Sequence, residues 1–337
     1  MRSLRASAAA VQVPRRASRR RLWPWFAWLV AFYGIWVWLE VGAGYWEETR
    51  EHWPIALAMA LGSYVAGSTP MGGGTVGFPV LVLLFDLPAA LGRNFGLVIQ
   101  SIGMTSASIF ILCRRAPVAY GLLGWCAVGA VPGLVLGTFW VVPRMGDETV
   151  KLLFACLWAS FGLLTLVKNR EICGFDRTPT IPRHAARNLG LLVGVFGGIT
   201  ASLTGVGIDM LLYTVLVLLY RTDLKVAVPT SVIIMAATSV MGTALHLWIG
   251  DLDRDVLGNW LAAAPVVILG APLGALLVSI IPRMGTLYVV AVLCLIQFGW
   301  ALYQVAPSGS QWLFVAANLG AATLGFTWLY RTGQRLR

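Results

Sequence analysis

The chain has 337 residues, of which 58% are hydrophobic and only 12% charged, with a mean hydropathy of +0.78. Soluble domains carry about 25% charged residues, so this composition excludes a soluble enzyme or binding module and implies an all-α, polytopic transmembrane helical bundle. The formal charge of +11 invites a nucleic-acid reading, yet much of it precedes the first apolar run, where arginines orient a helix in the membrane. No nucleic-acid partner is expected; the lipid bilayer is.

Residues 1–22 form a basic tail carrying Arg2, Arg5, Arg15, Arg16, Arg19, Arg20 and Arg21. The tail followed by Leu22 to Gly42 resembles a secretory signal, but the run is a full span long and lacks a small-x-small cleavage site, which predicts a retained first transmembrane helix over 23–43. Trp23, Trp25, Trp28, Trp36, Trp38 and Trp46 crowd its two ends as an interfacial belt. Apolar runs then fall at 54–69, 75–86, 94–113, 118–141 and 149–168, within a first repeat over 53–168. A loop at 169–187 separates them from runs at 188–204, 209–220, 226–249, 256–281 and 286–306, a second repeat over 188–306, and a final helix is predicted over 312–330. A hydrocarbon core of roughly 30 Å needs about 20 helical residues. The pieces at 75–86 and 209–220 are too short and read as half-helices, either spanning or re-entrant.

With the arginine-rich start on the cytoplasmic side, the crossings leave only Arg50, Arg93, Arg144, Lys151 and Arg254 outside, together with the acidic turn Asp251, Asp253 and Asp255. This bias places both termini in the cytoplasm, in a cell membrane and, for a bacterium, the inner one. Five segments per half is an odd number, so the second copy enters from the opposite face: the repeats are inverted. Traces of the duplication persist. Leu81-Val82-Leu83-Leu84-Phe85 returns as Leu216-Val217-Leu218-Leu219-Tyr220, and Pro143-Arg144-Met145-Gly146 as Pro282-Arg283-Met284-Gly285.

Each half-helix follows a glycine-rich break, Ser68-Thr69-Pro70-Met71-Gly72-Gly73-Gly74-Thr75 in one half and Ser202-Leu203-Thr204-Gly205-Val206-Gly207-Ile208-Asp209 in the other. A membrane tolerates unwound backbone only where protein buries it or where it lines a watery cavity, so two matched breaks point to one central site. Gly72, Gly73, Gly74 and Thr75, with Gly205 and Gly207, then present amides without a Cβ in the way, and a half-helix N-terminus favours an anion. The structural alternative is close helix crossing, the role expected of Gly133 with Gly137 and Gly270 with Gly274 at GxxxG spacing. Arg93 and Asn94 open the following helix and Gln100 lies two turns further in. An arginine fork suits sulfonate or sulfite oxygens, while an interfacial anchor is the other role open to Arg93. Gln100 fits a pore or a helix-to-helix bond. Asp209 is an ionisable group at membrane depth, either a carrier of a coupling proton or cation or a helix cap. His246 reads as bonded to a neighbouring carbonyl. Thr230 and Ser231 follow Pro229, able to line a path or to bond back to their own helix.

The breaks, the half-helices and Pro229-Thr230-Ser231 resemble the TauE/SafE sulfite exporter family of membrane permeases over roughly residues 55 to 306. Its glycine-rich signature stands best as Gly72-Gly73-Gly74 with Pro79, and its Thr-Ser pair as Thr230-Ser231. Copy one departs at Arg93-Asn94-Phe95-Gly96, and copy two places Asp209 where the third glycine falls. The resemblance implies transport of small sulfur-containing or organic anions such as sulfite, sulfoacetate or taurine-derived compounds.

The expected function is a permease that carries a small anion by alternating access between the repeats, with a channel as the nearest alternative and an intramembrane enzyme as one of another class. No GxxxxGK[ST] or GxSxG stretch occurs. Cys113, Cys126, Cys156, Cys173 and Cys294 lack CxxC spacing, and His52, His184 and His246 form no metal-ligand pair. Neither cofactor nor metal is expected, and the sequence leaves oligomeric state open.

Overall fold

The structure, a computed structural model, describes residues 22–69, 74–176, 181–277 and 283–335. Its order is α1 (Trp23–Val37, with a π-helical turn Trp38–Gly42), α2 (Trp46–Glu51), α3 (Trp53–Ser68), α4 (Gly74–Phe78, with a π-helical turn Pro79–Leu84) and α5 (Ala89–Cys113). There follow α6 (Tyr120–Leu136, with a π-helical turn Gly137–Val141), α7 (Asp147–Cys173), α8 (Arg183–Thr204) and α9 (Ile208–Thr214, with a π-helical turn Val215–Leu219). The remainder are α10 (Leu224–Ile249), α11 (Arg254–Leu277), α12 (Arg283–Val305) and α13 (Gly309–Arg335). Among the described residues, nine helices are long and apolar enough to cross a membrane, while α3 and the α9 segment Ile208–Leu219 are shorter. The protein is a polytopic helical bundle.

The half-helices recur down to backbone detail. Each closes with a π-helical turn, then a non-glycine residue in left-handed conformation, Asp86 (φ 54°) in one half and Arg221 (φ 51°) in the other. One residue on, Leu87 N–H donates to Leu81 O at 3.0 Å and Thr222 N–H to Leu216 O at 3.1 Å. The next helices start after Pro88 and Asp223, both extended.

Lipid tails are as apolar as leucine, so helices associate in a membrane mainly through close packing and interhelical bonds. Two seams show this. A Cβ on Gly129 would lie 2.5 Å from Leu191 O, one on Gly190 3.0 Å from Leu122 O and one on Gly198 2.6 Å from Ala130 O, so α6 and α8 touch backbone to backbone as parallel neighbours. The second seam pairs α3 with α11, where Gly67 meets Ala271, and Gly270 and Gly274 meet Ser63 and Tyr64. Gly133 likewise meets Val195 and Gly137 meets Ser202, so the four glycines at GxxxG spacing pack helices as expected. By contrast α5 and α10 run antiparallel, since Arg93 lies near His246 and Leu97 beside Gly242. So do α7 and α12: Asn169 Nδ2 donates to Met284 O at 3.0 Å, while Gly162 faces Ala291 and Cys294.

The half-helices are held from outside. Phe78 of α4 stacks on Phe154, which stacks on Trp158, with centroids 4.3 and 4.2 Å apart. Trp300 Nε1 donates to Leu83 O at 3.0 Å, taking one of the carbonyls at the end of the first half-helix. Trp300→Phe should therefore lower stability by about 1 kcal/mol, the net value of one such bond, in chemical unfolding of the detergent-solubilised protein. On the second half-helix, Gly333 of α13 packs against Leu218 and Leu219. The nearby buried Arg221 sits 3.7 Å from Glu171, with the Phe175 and Tyr330 rings 5.4 and 5.8 Å from its guanidinium carbon. Two tryptophans of the predicted belt do more than meet the interface: Trp25 Nε1 donates to Ser106 Oγ (3.0 Å) and Trp36 Nε1 to Leu261 O (2.9 Å), fastening α1 to the bundle.

Candidate functional site

The second break is a two-glycine turn. Gly205 (φ 76°) ends α8 and Gly207 (φ 114°) precedes α9, both in the left-handed region where L side chains are disfavoured. Gly205 is pressed against α5: a Cβ there would lie 2.6 Å from Arg93 O. Gln100 Nε2 donates to Gly205 O (3.0 Å) and to Gly96 O (2.7 Å). With both amide donations directed at carbonyls, Gln100 Oε1 is left buried without a hydrogen-bond partner among the described residues. A buried acceptor lacking a donor is unfavourable by about 1–3 kcal/mol, so this oxygen is a ready contact for a hydroxyl, an amine or a cation at the break.

Asp209 is 1% exposed. Its Oδ1 accepts from Gly207 N–H at 3.1 Å, so the carboxylate bonds back to the break that precedes its own helix. The counterpart of Asp209, 135 positions earlier, is Gly74. Gly74 and Thr75 open α4, whereas Gly72 and Gly73 lie outside the described residues.

Arg93 and Asn94 point to the far end of α10. Arg93 is 5% exposed; its Nη2 donates to Asp251 Oδ2 at 3.0 Å and its Nε to Asn94 Oδ1 at 2.9 Å. Asn94 Nδ2 donates to the Asp251 carbonyl at 2.6 Å. His246 Nδ1 lies 3.0 Å from the same Asp251 Oδ2. The guanidinium is thus paired inside the protein rather than extended into water, and His246 meets a carboxylate rather than the carbonyl expected from sequence. Asp251, which the sequence offered only as part of an acidic turn, is the residue that sequence reasoning missed. Nothing local marks it, since its partner Arg93 is 158 residues away.

Thr230 and Ser231 are fully buried elsewhere on α10. Thr230 Oγ1 donates to Val226 O (2.6 Å) and accepts from Ala119 N–H (3.1 Å), and Ser231 Oγ donates to Ala227 O (3.0 Å). Both hydroxyl protons are committed to the helix's own carbonyls, and Thr230 also secures the start of α6. The structure therefore brings the Arg93 backbone and the Gln100 side chain to Gly205 and keeps Asp209 bonded to Gly207, while the Arg93 and Asn94 side chains turn to Asp251 and Thr230 and Ser231 are bonded separately. A cavity of about 290 Å³ opens beside Phe85 and Leu87, lined also by His52, Asp255 and Asn259. Among the described residues, no group of three or more His, Cys, Asp and Glu side chains could hold a metal.

A bundle of this kind, with two interrupted helices and polar groups collected where one is broken, belongs to the class of polytopic membrane transporters. Over residues 55–302 the chain matches the family described as Sulfite exporter TauE/SafE. It belongs to that family, whose members are transporters rather than enzymes. It is also similar to a probable membrane transporter protein, YunE, of Bacillus subtilis (strain 168), with 26% identity over 230 residues covering 61% of this chain and 80% of that one. No solved structure matches it.

Proposed function

We propose that this transporter moves small anions, sulfite or an organosulfur or carboxylate relative, by alternating access around the two breaks. The observation that carries a transport site is the second break itself, unwound backbone at Gly205–Gly207 buried against α5; the anion is supported by the sulfite-exporter description of the matching family, while the unpartnered Gln100 oxygen suits a donor or a coupling cation. Irregular backbone at membrane depth belongs to sites.

The two breaks then divide the work. At the second, Asp209 already bonds the turn, which leaves a buried carboxylate suited to a coupling proton or cation. At the first, a glycine stands in the sequence where the second has Asp209, and the anion is assigned to the N-terminal end of that half-helix. The antiparallel courses of α5 against α10 and α7 against α12 support inverted repeats, because corresponding helices of the two halves point in opposite directions. The charge bias of the loops supports both termini in the cytoplasm.

Uptake into proteoliposomes of sulfite, thiosulfate, sulfoacetate, taurine and simple carboxylates tests the reading. At least one anion should move saturably and show counterflow. Movement of only neutral or cationic solutes would overturn the anion assignment, and non-saturating flux would mark a channel. Asp209→Asn should abolish gradient-driven accumulation while leaving equilibrium exchange; unchanged accumulation would assign the carboxylate to capping alone.

A further inference from the structure

We propose that Arg93 and His246, steadied by Asn94, form a second oxyanion site, occupied in this conformation by the chain's own Asp251 carboxylate, which a transported anion displaces. The inference rests on the anion reading above and adds to it a site apart from the breaks and an internal competitor.

The donors are built in and the occupant is not. Arg93 and His246 stand on α5 and α10, 5% and 1% exposed. Asp251 sits on the turn between Gly250, which closes α10 at φ 78°, and Arg254, which opens α11. Its side chain is 42% exposed while that of Arg93 is 6%. A carboxylate on a solvent-facing turn can swing outward, whereas a buried guanidinium cannot leave without taking its helix along.

The geometry is that of oxyanion recognition. Arg93 Nη2 and His246 Nδ1 converge on one oxygen, each at 3.0 Å. The Arg93 Nε bond to Asn94 fixes the plane of the fork. Carboxylate, sulfite and sulfonate oxygens are interchangeable ligands for such a fork. His246 Nε2 is buried without a partner among the described residues, so the cluster holds a further polar position that Asp251 does not use.

An ion pair in this setting gives little net stability, because desolvating both charges offsets much of their attraction. Its position suggests another use. The carbonyl of Arg93 is the atom pressed against Gly205, so whatever holds the guanidinium also holds the second break. Exchange of the Asp251 carboxylate for a free anion would leave the α10–α11 turn held to α5 by the Asn94 bond to the Asp251 carbonyl while keeping the buried charge neutralised. A tethered ligand on a short linker acts at an effective concentration of about millimolar or more, and an outside anion must compete with that.

The test is binding of methanesulfonate to purified full-length protein by calorimetry, at ionic strength held constant with chloride. Asp251→Ala should bind at least tenfold more tightly than wild type, and Arg93→Gln in that background should abolish the gain. Asp251→Asn, which keeps the shape and removes the charge, should shift binding in the same direction. If either Asp251 variant folds and shows no tightening, the proposal is overturned. If neither folds, the pair is a structural pin and the proposal is equally overturned. Tighter binding by the variants in a protein that transports no anion would keep this site and sink the transport reading; anion transport with unaltered variant binding would do the reverse.

Discussion

Replacing Gly194 with leucine is expected to eliminate folded protein. A Cβ at Gly194 would overlap Cys126 O and lie 2.8 Å from both Ala130 N and Gly129 Cα. Overpacking commonly costs about 1–3 kcal/mol where side chains can shift aside. Here the obstacles are backbone atoms of α6, so the two helices must separate. Separation would also lift Gly190 and Gly198 from their contacts, and without a hydrophobic drive between helices in lipid nothing replaces the lost packing. A cost above about 4 kcal/mol follows, in the range that single substitutions seldom reach. Gly124→Leu is the control: it changes the same α6, at a position with nothing within 4 Å of the added Cβ. The monodisperse fraction in size-exclusion chromatography after detergent extraction should collapse for Gly194→Leu and stay near wild type for Gly124→Leu. Equal behaviour would mean that the α6–α8 seam does not hold the bundle together.

This seam also shows why much of the fold was legible. Glycines four apart advertise a helix face that can meet another backbone, and Gly133, Gly137, Gly270 and Gly274 do so. The half-helices were legible because length against membrane thickness is a hard constraint, and the observed segments Gly74–Leu84 and Ile208–Leu219 match the short runs in sequence. What stayed hidden depends on distance along the chain or on backbone geometry without a side-chain signature. The π-helical turns that close both half-helices fall among ordinary valines and leucines. The pairing of Arg93 with Asp251 joins the start of one helix to the turn beyond another, and it forms because α5 and α10 run antiparallel, which brings Arg93 to the carboxylate that His246 meets five residues away. Arg221 stands in a short link between two apolar runs, with no sequence mark of burial, yet it is 4% exposed, covered by Phe175 and by Tyr330 of a helix more than a hundred residues later.

Gly205→Ala should cut transport at least tenfold while the protein still inserts and purifies. Two effects act together at this position. A left-handed conformation costs an L-residue about 1–2 kcal/mol, and the added methyl would stand 2.6 Å from Arg93 O. The carbonyl belongs to a helix interior and cannot swing aside, so the break must draw away from α5. That movement stretches the 3.0 Å bond from Gln100 to Gly205 O and displaces the orphaned Gln100 oxygen relative to Asp209. Gly44→Ala separates the causes, since Gly44 shares the conformation at φ 80° but has nothing within 4 Å of an added Cβ. Both variants should lose about a kilocalorie or more of stability to backbone strain, and only Gly205→Ala should lose transport, read as initial uptake rate per reconstituted protein. Transport that survives in Gly205→Ala would show that the contact between the second break and α5 is packing, and the coupling between Arg93, Gly205 and Gln100 would have to be abandoned with it.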